Sequence, residues 1–220
     1  MSDALEIRPL RIRMSTRTSF VFYPIDSNDF AQILRTKGYI INEISPSIGP
    51  IRLEIPGQLA EKDGNQVILD TNMQILAVDG QNPKAILSIF NELEKIIKED
   101  MKIEYNDNVK FYETFVDCHI YTEKNPRKII EDLSKKDEIA EAFTEILKIP
   151  VSPFTLRYAS KNSLPNGPEW IDVRLEPFVK RADKIYSFNL VYRSVDGENV
   201  KIILESVEDI IKRLVDRIHS

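Results

Sequence analysis

The sequence carries VDGQNPKAIL at residues 78–87 and a near copy, VDGENVKIIL, at residues 195–204. In each copy, Asp-Gly is typical of a turn after a strand, and the Asn two residues later can cap the first N–H groups of a helix. Pro83 suits the first position of that helix. Both stretches therefore predict the same junction, in which a strand leads into a long helix.

Apolar residues recur at helical spacing after both junctions. The first set is Ile86, Phe90, Leu93 and Ile97, and the second is Ile203, Val207, Ile210, Leu214 and Ile218. An Arg-Leu-Glu triplet also precedes each junction, at residues 52–54 and at residues 174–176. These correspondences predict an internal duplication of one folding unit, in which a helix with one apolar face packs on a sheet.

The order of predicted elements is the same in the two halves. The first copy reads as a strand at residues 20–25, a helix after Ser27, antiparallel strands up to residue 78 and a long helix. The second copy starts with an aromatic-rich strand at residues 111–121 and adds an extra helix near residues 137–148. The predicted fold class is α+β, a duplicated unit of strand, helix, antiparallel strands and helix, with the helices packed on one face of the sheet.

We predict four segments along the chain. They are a basic N-terminal strand or arm (1–17), a first α+β repeat (18–100), a connector (101–110) and a second α+β repeat (111–220). The order of elements resembles the TATA-binding-protein-like arrangement and, within one copy, the helix-grip fold. No motif of either family is present, so the resemblance implies a topology and neither an activity nor site residues.

Composition excludes several classes of protein. No apolar run approaches the roughly 20 residues that span a bilayer, and the N-terminus lacks the basic start and apolar core of a signal peptide. The single cysteine excludes an internal disulfide, so we expect a cytoplasmic protein. The formal net charge of −5 gives no support to attraction of nucleic acid over the whole surface.

Cys118 and His119 are neighbours in sequence, but on a strand they point to opposite faces and cannot act together. Cys118 is expected in the core. His119 shares its face with Asp117 and Tyr121, and this trio can orient an imidazole or hold a ligand. An exposed polar strand face explains the same three residues and is the favoured interpretation.

Signals for cofactors and metals are missing from the sequence. Only two histidines occur, His119 and His219, and a single cysteine excludes a zinc site of the multi-cysteine type. No glycine-rich phosphate-binding loop or nucleophile elbow is present. We therefore predict no cofactor and no metal, and we favour a protein that is not an enzyme, with catalysis by His119 and Asp117 as the open alternative.

The N-terminal stretch is basic. It contains Arg8, Arg11, Arg13 and Arg17, with no acidic residue among them. Alternation with apolar residues favours an edge strand that its charges protect from aggregation. The alternative is an arm that binds phosphate or an acidic partner.

An aromatic row, Tyr186, Phe188 and Tyr192, alternates along the last predicted strand with Leu190 on the same face. Beneath the final helix this row is core, which is the favoured interpretation. A gap between sheet and helix would make it the lining of an apolar pocket, and an outward orientation would let it stack bases or bury a partner. Trp170, beside a Pro- and Gly-rich loop, is either an interface anchor or an aromatic that pins the loop.

Three functional hypotheses follow. The leading one is a non-enzymatic protein-interaction module with internal pseudo-twofold symmetry, including self-association. The second is a carrier or sensor of a small apolar ligand held between sheet and helix. The third is a nucleic-acid-associated protein that uses the basic N-terminal arm.

Overall fold

The structure is a computed structural model that describes residues 5–42, 57–133 and 138–220. The predicted strand at residues 51–55, with its Arg-Leu-Glu triplet, lies outside the described residues. In chain order the elements are β1 (Glu6–Thr18), α1 (Ser27–Thr36), β2 (Ile40–Ile41), β3 (Gln58–Lys62), β4 (Asn65–Asp70), β5 (Ile75–Gly80), α2 (Pro83–Glu99), β6 (Val109–Tyr121), α3 (Pro126–Leu133), α4 (Glu138–Leu147), β7 (Leu156–Ala159), β8 (Trp170–Pro177), β9 (Ile185–Ser194), α5 (Gly197–Glu205) and α6 (Val207–His219).

The described strands form one nine-stranded antiparallel sheet in the order β2-β3-β4-β5-β1-β6-β9-β8-β7. Helices α1, α2, α3, α5 and α6 bury apolar side chains in a single core against one face of this sheet. The predicted fold class, α+β with helices on one face of an antiparallel sheet, is confirmed. Within the described ranges, no helix combines the length and the apolar character needed to cross a membrane.

The two halves of the sheet repeat one strand order around the central pair β1 and β6. Moving outward, β1 is followed by β5, β4 and β3, and β6 is followed by β9, β8 and β7. The pairing registers agree as well, since Ile12 lies opposite Gly80 and Tyr112 lies opposite Ser194. The halves therefore share a topology, and their origin by gene duplication stays a prediction.

The matching residues of the sequence repeat do not occupy equivalent structural positions at the two junctions. In the first half Asp79 lies within β5, and the Asn82 side chain caps α2 by accepting two backbone hydrogen bonds at 3.0 and 3.2 Å. In the second half Asp196 itself caps α5, and Gly197 is the first helical residue. Asn199 lies inside α5, so the prediction that it caps a helix is wrong.

The alignment of the two halves by their structural elements differs by three residues from the alignment of the repeated sequence. The two helix caps, Asn82 and Asp196, lie 114 positions apart, whereas the matched valines, Val78 and Val195, lie 117 apart. Burial follows the structure, because Val78 is 0% exposed in the core and Val195 is 57% exposed at the surface. The sequence repeat thus locates both junctions but misaligns them.

The helical coverage of the two halves also differs. Helix α2 runs unbroken for 17 residues and buries seven side chains. The predicted single helix of the second half is divided at Ser206, whose hydroxyl donates to the carbonyl of Ile202 at 2.7 Å. After this break Ile211 and Val215 face the core, while Leu214, expected in the apolar stripe, is 38% exposed.

The N-terminal predictions are corrected by the sheet order. Strand β1 lies between β5 and β6, so it is neither an edge strand nor a free arm. Residues 20–25, predicted as the first strand of the repeat, form no strand, and β1 takes that place in the topology. The reason is that Ile12 and Met14 enter the core on one face of β1, while Arg11 and Arg13 form ion pairs with Asp79 on the other.

Candidate functional site

The sheet face opposite the core helices carries charged and aromatic side chains from its central strands. We call it the open face and define it by the following residues. They are Arg8, Arg11, Arg13 and Arg17 of β1, Asp79 of β5, Phe111, Glu113, Phe115, Asp117, His119 and Tyr121 of β6, Asn189 and Arg193 of β9, Trp170, Asp172, Arg174 and Glu176 of β8, and Arg157 of β7. Two residue sets predicted separately, the basic stretch and the polar face of β6, thus lie side by side.

A β-bulge places all four arginines of β1 on this face. Arg8 and Arg11 are three residues apart, and in a regular strand an odd spacing puts side chains on opposite faces. The register of β1 against β6 shifts between Pro9 and Arg11, so Leu10 is the extra residue. Beyond the bulge, Arg11, Arg13 and Arg17 follow the normal alternation, with Ser15 between the last two, so all four guanidinium groups lie on the open face.

Asp79 binds two of these arginines. Its Oδ2 accepts hydrogen bonds from Arg11 Nη2 at 2.7 Å and Arg13 Nη2 at 2.8 Å, and its Oδ1 accepts from Arg13 Nε at 2.6 Å. Burial alone would raise the pKa of Asp79, but the hydrogen bonds from Arg13 and Arg11 outweigh it and hold the pKa below its usual range. The cluster is therefore ionised near neutral pH and carries a net charge of +1.

The second half holds an equivalent ion pair with its charges exchanged. Glu113 lies opposite Arg193 just as Arg13 lies opposite Asp79, and Arg193 Nε donates to Glu113 Oε2 at 2.9 Å. The Arg193 guanidinium also stacks on Phe111, 4.3 Å from the ring centroid. Each half thus fixes an arginine on the open face through an equivalent pair of strands, β1 with β5 in the first half and β6 with β9 in the second.

A polar row continues from the middle of the sheet to its β7 edge. Asp117 accepts a hydrogen bond from Asn189 Nδ2 at 2.8 Å, and the amide oxygen of Asn189 accepts from Arg174 Nε at 3.0 Å. Next along the edge, Arg157 binds Asp172 through two hydrogen bonds of 3.0 and 2.6 Å. The hydrogen bond from Arg157 lowers the pKa of Asp172, so these charges too are paired.

The polar trio of β6 does not assemble into an acid-base group. Asp117 is engaged by Asn189, and the His119 ring packs against Phe178 with centroids 4.4 Å apart. Tyr121 lies under the Arg8 guanidinium, 4.3 Å from the ring centroid. Each member therefore contacts a different neighbour, and no hydrogen bond joins Asp117 to His119 in the described part of the sheet.

Cys118, the neighbour of His119 in the sequence, belongs to the core. Cys118 is buried on the opposite face of β6, and burial raises its pKa to about 12, so the thiol is neutral. Among residues 5–42, 57–133 and 138–220, no group of three or more His, Cys, Asp or Glu side chains is arranged to hold a metal ion.

The aromatic row of β9 lies on the core side of the sheet. Tyr186 and Phe188 are buried with Leu190, and Tyr192 is half-buried against the same core. The Tyr186 hydroxyl lies 3.2 Å from His219 Nε2 at the end of α6. An outward-facing row that stacks bases is therefore wrong, because the helices α5 and α6 cover this face.

A small cavity of about 50 Å³ remains beside this row, between α6 and the outer strands. We call it the notch. Its wholly apolar lining includes Leu156, Tyr158, Leu175, Phe188, Leu214 and Ile218. Ligand sites usually measure roughly 300–1,000 Å³, so the notch has room for part of a side chain and not for a typical small ligand.

Trp170 begins β8 on the open face, opposite Arg193. The loop before it is held by Arg193, whose Nη1 donates to the carbonyls of Pro165 and Gly167 at 3.1 and 2.9 Å. Glu169 adds a hydrogen bond from the N–H of Val195 at 2.8 Å. The side chain of Arg193, which is also paired with Glu113, therefore holds the loop through hydrogen bonds to backbone carbonyls. Composition alone did not reveal this contact.

Sequence reasoning missed the carboxylates that complete the open face. Asp79 was assigned to a turn, and Glu113 was not singled out, although both bind arginines of the adjacent strand. The available signal was the alternation of charges along β1 and β6. This alternation identifies the face that points away from the core. Only the register between strands determines which arginine pairs with which carboxylate.

Comparisons with known proteins add little to this description. No protein family model matches the chain, and no curated protein is similar to it in sequence. A solved structure, the TBP of Methanococcus jannaschii, matches 94% of this chain and 98% of its own at 12% sequence identity and a TM-score of 0.33. At this TM-score and identity the match carries no conclusion about fold or function.

Proposed function

We propose that the open face is a surface that binds a protein partner. The observation that carries the proposal is the stacking of arginines on aromatic rings, with Arg8 over Tyr121, Arg11 over Phe115 and Arg193 over Phe111. Arg and aromatic residues are enriched at protein interfaces and dominate their binding energy.

Preorganisation supports this role. Arg193 is held by Glu113, by Phe111 and by two loop carbonyls, and Arg13 is held by Asp79. Immobilising a long side chain on binding costs about 0.5–1.5 kcal/mol, and this cost is already met when the side chain is fixed in the free protein. The open face therefore offers guanidinium groups whose remaining donors can bind a partner without further ordering.

The balance of charge favours protein over nucleic acid. Asp79, Glu113, Asp117 and Asp172 alternate with the arginines across the face, and three of them accept hydrogen bonds from arginine. The open face holds seven arginines and five carboxylates, so a phosphate backbone laid on it would meet carboxylates beside the guanidinium groups, which opposes the counterion release that drives such binding. A partner with mixed charges is complementary to the pattern.

The test compares two double variants that change the net charge by the same amount. R157E/R174E reverses two exposed arginines of the open face, and K95E/K98E reverses two exposed lysines on α2, outside the open face. Each purified protein, shown to be folded by circular dichroism, is used to capture partners from a nuclease-treated native extract. The captured protein is then purified, and its affinity for each variant is measured.

We expect R157E/R174E to weaken binding at least about tenfold and K95E/K98E to leave it unchanged. Equal binding by both variants would overturn the proposal. Capture of nucleic acid from an untreated extract, with affinity that falls steeply as salt increases, would replace a protein partner by a nucleic acid.

A further inference from the structure

Helix α4 is an amphipathic helix that buries none of its residues. On one side it presents Phe143, Ile146 and Leu147, which are 53%, 74% and 54% exposed. A helix of 10 residues is marginal in water by itself, and most helical stability comes from packing an apolar face against something. Large exposed apolar side chains grouped in this way mark a contact surface.

The notch provides a matching recess on a different part of the molecule. Its lining is entirely apolar, and its volume of about 50 Å³ corresponds to a few water-sized groups, the size of one branched aliphatic side-chain tip. Leu214 of α6 and Tyr158 of β7, both in its lining, are exposed. The recess is therefore reachable from solvent, and an aliphatic side chain of an incoming helix can enter it.

The charges beside the two surfaces are complementary. Helix α4 carries Glu138, Glu141 and Glu145 and no basic residue within its bounds. Beyond its acidic first turn, which holds Glu208 and Asp209, α6 carries Lys212, Arg213 and Arg217 against the single acid Asp216, so its C-terminal part is net basic next to the notch. Contact between two copies of α4 would instead bring glutamates together, which costs free energy.

We propose that α4 of one copy of this chain docks on the notch of a second copy, with Ile146 or a neighbouring side chain entering the recess. A twofold pair makes this contact twice, because each copy contributes one helix and one notch. The surface is separate from the open face, so each subunit of the pair keeps its open face for a partner.

The experiment uses two variants that remove opposite halves of one contact. F143D/I146D destroys the apolar face of α4 and leaves the notch intact, whereas L214E places a charge at the notch and leaves α4 intact. I202D is the matched control, because Ile202 on α5 is 57% exposed and lies on neither surface. Sedimentation equilibrium over a range of concentrations gives the dimerisation constant, and circular dichroism verifies that each variant is folded.

We expect the wild type and I202D to dimerise equally. Each of the other two variants alone should dimerise at least about tenfold more weakly. An equimolar mixture of F143D/I146D and L214E should associate more strongly than either variant alone, because the intact helix of one fits the intact notch of the other and restores one of the two contacts. L214A, a milder change, should weaken the dimer in the same direction if L214E fails to fold.

Three results would overturn the proposal. The first is a wild-type protein that stays monomeric at every concentration. The second is unchanged dimerisation of a folded L214E or L214A. The third is a mixture of folded F143D/I146D and L214E that associates no more strongly than either variant alone.

Discussion

Asp79 and Asp196 stand at the same place in the repeated sequence, yet they make different contacts. The Asp79 side chain is 11% exposed and binds two guanidinium groups of the neighbouring strand β1. Asp196 is exposed and accepts one hydrogen bond, from the N–H of Glu198 at 2.9 Å. The following helices differ too, since α2 is continuous and its counterpart divides at Ser206. A repeated sequence therefore specifies a junction without specifying what each residue does there.

The difference has a structural origin in the three-residue shift between letters and elements. Where the first half places a carboxylate, Asp79, the second half places Arg193, and the opposite charge sits on the adjacent strand. Both halves thus retain an ion pair at this position while exchanging its members. Four predictions test how far the two halves differ.

The largest expected effect concerns helical coverage. Phe90 of α2 is 0% exposed, so Phe90→Ala should lower the free energy of unfolding by about 3–5 kcal/mol through lost burial and a cavity. Leu214→Ala in α6 should cost about 1 kcal/mol, because part of that side chain already contacts solvent. Urea denaturation measures both, and equal losses would mean that α6 covers its strands as closely as α2.

The next effect concerns Asp79, compared with the exposed carboxylate Glu6. Asp79→Asn should destabilise the protein by about 2 kcal/mol, because Arg11 and Arg13 would then lie together without a counter-charge. Glu6→Gln is the control, since the Glu6–Arg8 pair is largely exposed and should contribute close to nothing. Similar urea midpoints for Asp79→Asn and the wild type would show that the cluster adds no stability.

Helix capping tests directly whether the two halves correspond by the alignment of the sequence repeat or by the alignment of their structural elements. Asn82→Ala and Asp196→Ala should each cost about 1 kcal/mol, since each removes the side chain that caps its helix. Asn199→Ala should change stability by less than about 0.5 kcal/mol, because Asn199 lies exposed within α5. If Asn199→Ala instead lowered the free energy of unfolding by about 1 kcal/mol, the result would favour the alignment of the sequence repeat over the alignment of the structural elements.

The smallest effect is the pH dependence of the Asp79 cluster. Its folded pKa lies below the unfolded value of about 3.9, so its contribution to stability is present above that value and is lost as the pH falls through the folded pKa. The stability difference between wild type and Asp79→Asn should therefore be constant above about pH 5 and should become smaller as the pH falls below the unfolded pKa. Other acids with lowered pKa, such as Asp172, are present in both proteins and cancel. A difference independent of pH would contradict the ionised cluster.

Much of the fold could be predicted from local patterns. Capping residues and apolar spacing gave α2 and the start of the last helical region, and alternation gave the strand that became β6. The errors fell where a local pattern fits two environments. A charged, alternating strand suits an edge, but it also suits a central strand with one polar face, and β1 is of the second kind.

The candidate site was predictable only in part. The four arginines of β1 and the polar residues of β6 were singled out from the sequence, but their proximity depends on a bulge at Leu10. The adjacent Pro9 is a local signal of a bulge or an edge strand, and it does not distinguish the two. The carboxylate partners come from β5 and β6, and Asp79 lies 66 residues from Arg13. Contacts at such separation follow from register, which the hydrophobic pattern fixes only across the assembled sheet.

The sequence by itself determined the α+β class, the order of elements in two halves and the positions of the helix junctions, because these depend on interactions between residues close in the chain. Tertiary structure alone decided that β1 is central, that the aromatic row is buried and that arginines meet carboxylates on one open face. Those features depend on which strands become neighbours, and that choice is made by the burial of the whole apolar face of the sheet against five helices.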